Sequence, residues 1–320
     1  MKNKKIISMI IMLSLAILLF CGIILIQHSK EDSIIIESFP IDVCYNKNTI
    51  YFIGKLFNNG SVNTYNLYKV NKNNYTLEKM PFPELEEKFI FKKIATWNGD
   101  LYAVLSKIDT ENQYEVWKIK DSEATFLYNL SESINFPINR IVSFCIDKNG
   151  INYFRSTSNI ILFEPLSGES ILFPDLNEDI SFESMAVGKN GNVHALFCKN
   201  IVSGGGYEIV EFSNKKIYSI YSGNLLPYDD IYSVLGSGNK EYDLFIKGSK
   251  SVYGFNKDTQ KAEYITPLSL DEYRYTKSCF IDGKTLLIWG MNPKFESKKT
   301  LNQAKLLLID LQKREPIKCI

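Results

Sequence analysis

Ile141-Val142-Ser143-Phe144-Cys145-Ile146, Ile151-Asn152-Tyr153-Phe154, Ile160-Ile161-Leu162-Phe163 and Ile171-Leu172-Phe173-Pro174 are four short apolar runs set apart by turn residues. Asn149-Gly150 separates the first two, and Pro165-Leu166-Ser167-Gly168 the last two. Asn-Gly supplies the positive φ angles that a tight hairpin demands. The stretch therefore predicts four antiparallel strands in a meander of roughly 40 to 50 residues.

The same rhythm runs the length of the chain. The turn and following strand return as Asn48-Thr49-Ile50-Tyr51-Phe52, Asn98-Gly99-Asp100-Leu101-Tyr102, Asn190-Gly191-Asn192-Val193-His194-Ala195-Leu196, Asn239-Lys240-Glu241-Tyr242-Asp243-Leu244 and Asp282-Gly283-Lys284-Thr285-Leu286-Leu287. A later strand keeps phase with them. Taking Tyr68, Trp117, Leu162, Val210, Tyr253 and Ile309 as equivalents gives steps of 49, 45, 48, 43 and 56 residues. A sheet of four strands cannot bury both its faces alone, and stacking such sheets around an axis buries them. The predicted fold class is all-β: a six-bladed β-propeller with four antiparallel strands per blade, over residues 41–320. Ile34 to Phe39 reads as one more strand, in a segment (28–40) that is either a stalk or the strand that fastens the ring. The alternative is that Pro316 to Ile320 already completes the last blade.

Ile161-Leu162-Phe163-Glu164-Pro165-Leu166-Ser167-Gly168-Glu169 through Pro174 resembles the repeat of bacterial propellers of the two-component-regulator and virginiamycin B lyase type. The other units share its strands and turns without the Pro-x-x-Gly-Glu chemistry. The resemblance implies the propeller architecture. The lyase of that group is understood to rely on histidine chemistry, which this chain scarcely offers.

Ahead of the repeats, Met1-Lys2-Asn3-Lys4-Lys5 is basic and Ile6 to Ile26 carries no charge. At about 1.5 Å per residue that run reaches roughly 30 Å, the thickness of a bilayer's hydrocarbon core. The reading is a cytoplasmic tail at 1–5, one N-terminal transmembrane helix as anchor at 6–27, and a propeller on the extracytoplasmic side of the cell membrane, since lysines precede the span and no basic excess follows it. Cleavage or lipidation at Cys21 fits less well, because Phe20 is bulky and the apolar run continues past it.

Composition narrows the function. Lys+Arg 37 against Asp+Glu 36 gives a formal net charge of +1, which offers nucleic acid no concentrated basic surface. The six cysteines match no metal or redox spacing, and Cys44, Cys145 and Cys279 recur just before turns, as small apolar core residues would. Only His28 and His194 are present. A catalytic triad or a usual zinc site has little to draw on, so no catalytic residue, metal or cofactor is assigned. Asp147-Lys148-Asn149-Gly150 is a fragment of a calcium loop without its bidentate Glu. Trp97, Trp117 and Trp289 fit blade packing.

One constellation stands out. The connections from the last strand of a blade to the first of the next gather at one mouth of a propeller channel, and here they carry acids. These are Glu84, Glu86 and Glu87; Glu132; Asp175, Glu178, Asp179 and Glu183; Asp229 and Asp230; and Asp271 and Glu272. Converging carboxylates focus a negative potential and favour a cation or basic ligand. Candidate ligand-binding residues are Glu84, Glu132, Asp175, Glu178, Asp179, Asp229, Asp230, Asp271 and Glu272. The expected role is a non-catalytic binding, sensing or interaction module whose ligand is a protein, peptide, glycan or cation. The alternative is an extracytoplasmic lyase or hydrolase acting on glycan or peptide through carboxylates.

Overall fold

The computed structural model describes residues 38–319 apart from 47–48, 59–60, 72, 75, 83–84, 86–87, 109, 111, 122, 139, 158, 175–179, 200–205, 225, 227–230, 238–240, 250, 268–273, 282–284, 292–303 and 311–314. Its strands, numbered β1 to β24 in chain order, form six four-stranded sheets. Within every sheet the spatial order equals the chain order and each pairing is antiparallel, as in a plain meander. The first strands are β1 (Ser38–Asn46), β5 (Phe89–Trp97), β9 (Ser143–Ile146), β13 (Ile180–Val187), β17 (Ile231–Ser237) and β21 (Arg274–Ile281). Each packs beside the next, and β21 packs beside β1. This is the arrangement of a β-propeller.

The strands are apolar on both faces because each sheet is covered on both sides. Along β11 (Asn159–Glu164), Ile161 and Phe163 enter the core shared with the second sheet, whereas Ile160 and Leu162 enter the one shared with the fourth. Such period-two division of a continuous apolar run is what a strand buried on both faces requires. Burying one of these side chains is worth about 1.5–3 kcal/mol.

The expectation of a six-bladed propeller behind a transmembrane helix is corrected in two respects. Packed inter-sheet cores are described across five sheets, from β1 to β20, while the last sheet is described by its strand pairing. No helix among the described residues is long and apolar enough to cross a membrane, and the predicted anchor at 6–27 lies outside them. Closure follows the second of the two alternatives. Glu315–Cys319 is β24 and pairs with β23 (Ala304–Asp310), while Ser38 and Phe39 belong to the first sheet, so among the described residues no strand is exchanged between ends. The assumed repeat alignment also slips at one point. Tyr68 stacks on Phe52, and Trp117 and Val210 face the preceding sheet, but Leu162 faces the following one, so Ile161 is the true equivalent. A slip of one residue exchanges the faces.

The turns after the first strands link the sheets in series. Asn46 Nδ2 donates to the Gly99 carbonyl, Trp97 Nε1 to the Lys148 carbonyl at 3.4 Å, Lys148 N to the Gly191 carbonyl at 2.8 Å and Lys189 N to the Asp243 carbonyl at 3.0 Å. Each link joins one sheet to the next. Gly150 and Gly191 sit at φ +85 and +77, and a Cβ there would lie 2.9 Å from the Trp97 ring and 2.8 Å from Lys148 Cβ respectively. The sequence signal of the hairpin is thus also the space into which the previous sheet fits.

A second set of links runs nearer the axis. Bulges interrupt β1, β5, β13, β17 and β21, between Pro40/Asp42, Phe91/Lys93, Phe182/Ser184, Ile231/Ser233 and Tyr275/Lys277. A bulge re-aims the side chain that follows it. Asp42 Oδ2 accepts from the Ile94 amide of the next sheet at 2.9 Å, and Ser184 Oγ accepts from Val234 N at 2.7 Å.

A glycine series tests the turn links. Gly168 has φ +72, and a Cβ added there would meet nothing within 4 Å, so Gly168→Ala costs about 1–2 kcal/mol from backbone strain alone. Gly150→Ala and Gly191→Ala add a collision with the neighbouring sheet and are expected to cost at least about 1 kcal/mol more, measured as urea midpoints.

Candidate functional site

The two rims of the ring are built differently. One carries the sheet-to-sheet connections and the loops between second and third strands. Their apolar residues dip into the cores: Phe82 and Leu85 from the first connection, Leu130, Ile134, Ile138 and Ile141 from the second, Leu226 from the fourth. Sequence reasoning took these segments as acidic loops and missed the anchors between the acids, although Pro81-Phe82-Pro83-Glu84-Leu85-Glu86 shows the alternation.

Among the candidate ligand-binding residues, Glu132 is the one described. It lies in a single helical turn, α1 (Leu130–Ser133), capped by Asn129, whose Oδ1 accepts from Ser131 N at 3.0 Å and whose Nδ2 donates to Glu132 Oε1 at 2.8 Å. Glu132 therefore supports a helix cap, a common place for a carboxylate. Ser131 Oγ donates to the Asn112 carbonyl at 2.9 Å, and Tyr114 N donates to Ser131 Oγ at 3.1 Å, tying the connection to the neighbouring loop. Glu84, Asp175, Glu178, Asp179, Asp229, Asp230, Asp271 and Glu272 lie outside the described residues.

The opposite rim carries polar groups whose partners the sequence does not reveal. Asp147, 3% exposed, directs Oδ1 to the amides of Asn149 (2.8 Å) and Ile151 (3.0 Å), which makes it the keystone of its turn rather than half a calcium loop. Burial raises its carboxyl above the usual range. On the same sheet, the acids flanking the Pro-Leu-Ser-Gly turn clasp Lys215 of the next: Nζ donates to Glu164 Oε2 at 2.8 Å and to Glu169. The Lys215 hydrogen bond, helped by Ser167, lowers the Glu164 carboxyl. The residues that carry the family resemblance thus act here as an inter-sheet clamp.

His194 is 1% exposed, in β14 (Val193–Lys199), opposite Glu211 of β15 (Tyr207–Ser213). Its Nε2 lies 3.1 Å from Glu211 Oε2, and its Nδ1 lies 3.1 Å from the Asn192 carbonyl oxygen. Asn192 Nδ2 donates to Glu211 Oε1 at 2.7 Å, and Lys257 Nζ of the fifth sheet stands 3.8 Å from Oε2. Gly188 has no side chain where one would run into the imidazole. The hydrogen bond from His194 holds the Glu211 carboxyl down at about 2, against burial that pushes it up, with Asn192 and Lys257 assisting. Neither face of this ring is open to a substrate. Among the described residues no group of three or more His, Cys, Asp or Glu is placed to hold a metal ion.

No family model matches the chain, and no curated protein sequence does. Solved structures do resemble it. The β-propeller domain of the Trilobed protease from Pyrococcus furiosus, described as having an open velcro topology, superposes with a TM-score of 0.50 at 10% identity over 88% of this chain and 82% of that one. A putative gluconolactonase gives 0.50 at 10% identity, covering 78% and 85%. YCF48 bound to a D1 peptide gives 0.50 at 9%, covering 88% and 82%. At such identities the likeness establishes the fold alone: the chain is an all-β propeller, a class that includes enzymes and binding proteins. The particular repeat family suggested by the third unit is not established.

The depressed Glu211 carboxyl sets a pH dependence. Its stabilisation is fully present above the ordinary value near 4.5 and is lost as pH falls through about 2. Urea midpoints measured from pH 7 down to pH 3 are expected to fall more steeply for the unsubstituted protein than for Glu211→Gln. The difference by pH 3 is about 2 kcal/mol.

Proposed function

We propose that this protein is a non-catalytic binding, sensing or interaction module, held at the membrane with its propeller on the extracytoplasmic side and its ligand engaged at the channel mouth. The observation that carries this reading is the state of His194. It is the one imidazole within the propeller sequence, and both its nitrogens are engaged by internal partners in a site closed to solvent. A lyase of the virginiamycin B type, or a serine hydrolase, needs an accessible histidine, and this one is structural.

The rim carrying the connections is the better place for a ligand. Apolar anchors such as Leu85 and Leu130 fix the first and second connections to the cores. Binding groups held on anchored segments keep their positions at little entropic cost. Asp229, Asp230, Asp271 and Glu272 belong to the acid-bearing connections, with Arg274 as the one cation close to them in sequence. A basic peptide or a cation is the ligand class such a mouth favours. The basic residues ahead of the uncharged run 6–26 support the extracytoplasmic placement.

Calorimetric titration with a lysine-rich peptide, a divalent cation and a neutral glycan fragment tests the assignment. Asp229→Ala/Asp230→Ala combined with Asp271→Ala/Glu272→Ala is expected to weaken the basic ligand at least tenfold, with the circular dichroism spectrum kept. Unchanged affinity would remove the mouth from consideration. Turnover of glycan or peptide that disappears with the same carboxylates would favour the enzymatic alternative instead.

A further inference from the structure

The two contacts of the His194 ring have a chemical consequence. A backbone carbonyl oxygen cannot donate a hydrogen bond, and neither can an ionised carboxylate. Nδ1 faces the Asn192 carbonyl and Nε2 faces Glu211, so both nitrogens must bring the hydrogen themselves. A neutral imidazole has one N–H and would leave a lone pair pointing at an acceptor in a closed site. Only the doubly protonated ring satisfies both contacts, and the Glu211 carboxylate supplies the opposite charge.

The charged groups around it come from two sheets. Glu211 stands across from the ring on β15, and Lys257 reaches Glu211 from the fifth sheet. Lys257 N in turn donates to Asp243 Oδ2 at 2.9 Å, and Asp243 accepts on its carbonyl from Lys189 N, one residue from the Gly188 that makes room for the ring. Leu244 of the fifth sheet closes the apolar side near Gly188. The imidazole is therefore the inner end of a chain of contacts that crosses from the fourth sheet to the fifth and returns.

We propose that His194 is a buried imidazolium which, with Glu211 and Lys257, forms a charged lock between the fourth and fifth sheets. Replacing the ring by a neutral side chain leaves Glu211 facing Lys257 alone. The turn link from Lys189 to Asp243 is the contact that opens first, because it is held from the same cluster.

The chain has only His28 and His194, so nitrogen-15 spectra of the full chain labelled at histidine, with His28→Gln for assignment, read the ring directly. The lock predicts both His194 nitrogens protonated at pH 7. It further predicts that amide exchange at Lys189 quickens at least tenfold in His194→Gln at pH 7. A singly protonated ring at pH 7 would overturn the proposal, as would a Lys189 exchange rate unchanged in His194→Gln. The first readout uses unsubstituted His194, so it decides even if His194→Gln fails to fold. Lys257→Met, which leaves the ring and its carboxylate in place, is expected to quicken the same amide already at pH 7, and unchanged exchange there would remove Lys257 from the lock.

Discussion

Each sheet of this propeller has two apolar faces and no means of covering either. Ile161 and Phe163 belong to one inter-sheet core and Ile160 and Leu162 to the other, so removing a neighbour on either side would expose half a strand's worth of large side chains. That requirement dictates the rest. Sheets must stack, the stack must return on itself, and the return is made by β21 lying beside β1. Hydrophobic burial is non-directional, however, and by itself sets no spacing. The directional part comes from polar links at fixed repeat positions: turn to turn at one rim, and from the bulge of one first strand to the amide of the next near the axis.

These links explain why the two rims differ in character. At the rim of the first-strand turns, described polar groups are committed to internal partners: Asp147 to its own turn, Lys215 to two glutamates, His194 and Glu211 to each other. Such a surface holds the ring together. On the other rim, Phe82, Leu85, Leu130 and Leu226 of the connections lie in the inter-sheet cores.

Much of the fold was legible in the sequence because hairpin turns and strand alternation are local properties. Asn98-Gly99 and Asn149-Gly150 announce their turns without reference to anything distant, and φ is +48 at Asn98, +90 at Gly99 and +85 at Gly150. Face assignment was harder. In Ile160-Ile161-Leu162-Phe163 all residues are apolar, so nothing local distinguishes Ile161 from Leu162, and the neighbouring sheets decide. Site residues were the least legible. Glu132 reads as a loop acid until Asn129 is seen to cap the helix beneath it. Glu211 reads as an ordinary strand residue until His194 is found opposite. Their roles depend on partners 3 and 17 positions away, which no periodicity marks.

The bolt between bulge and amide offers the most direct test of the ring. Hydrogen exchange should find the Ile94 amide strongly protected in the intact protein, since Asp42 of the neighbouring sheet is its acceptor. Asp42→Ala is predicted to release that amide by at least tenfold while amides within the ladder of its own sheet, such as Ala103 and Val116, keep their protection. Ile94 protection that persists undiminished in Asp42→Ala would mean that the sheets are not joined in this way, and the account of the ring would fail with it.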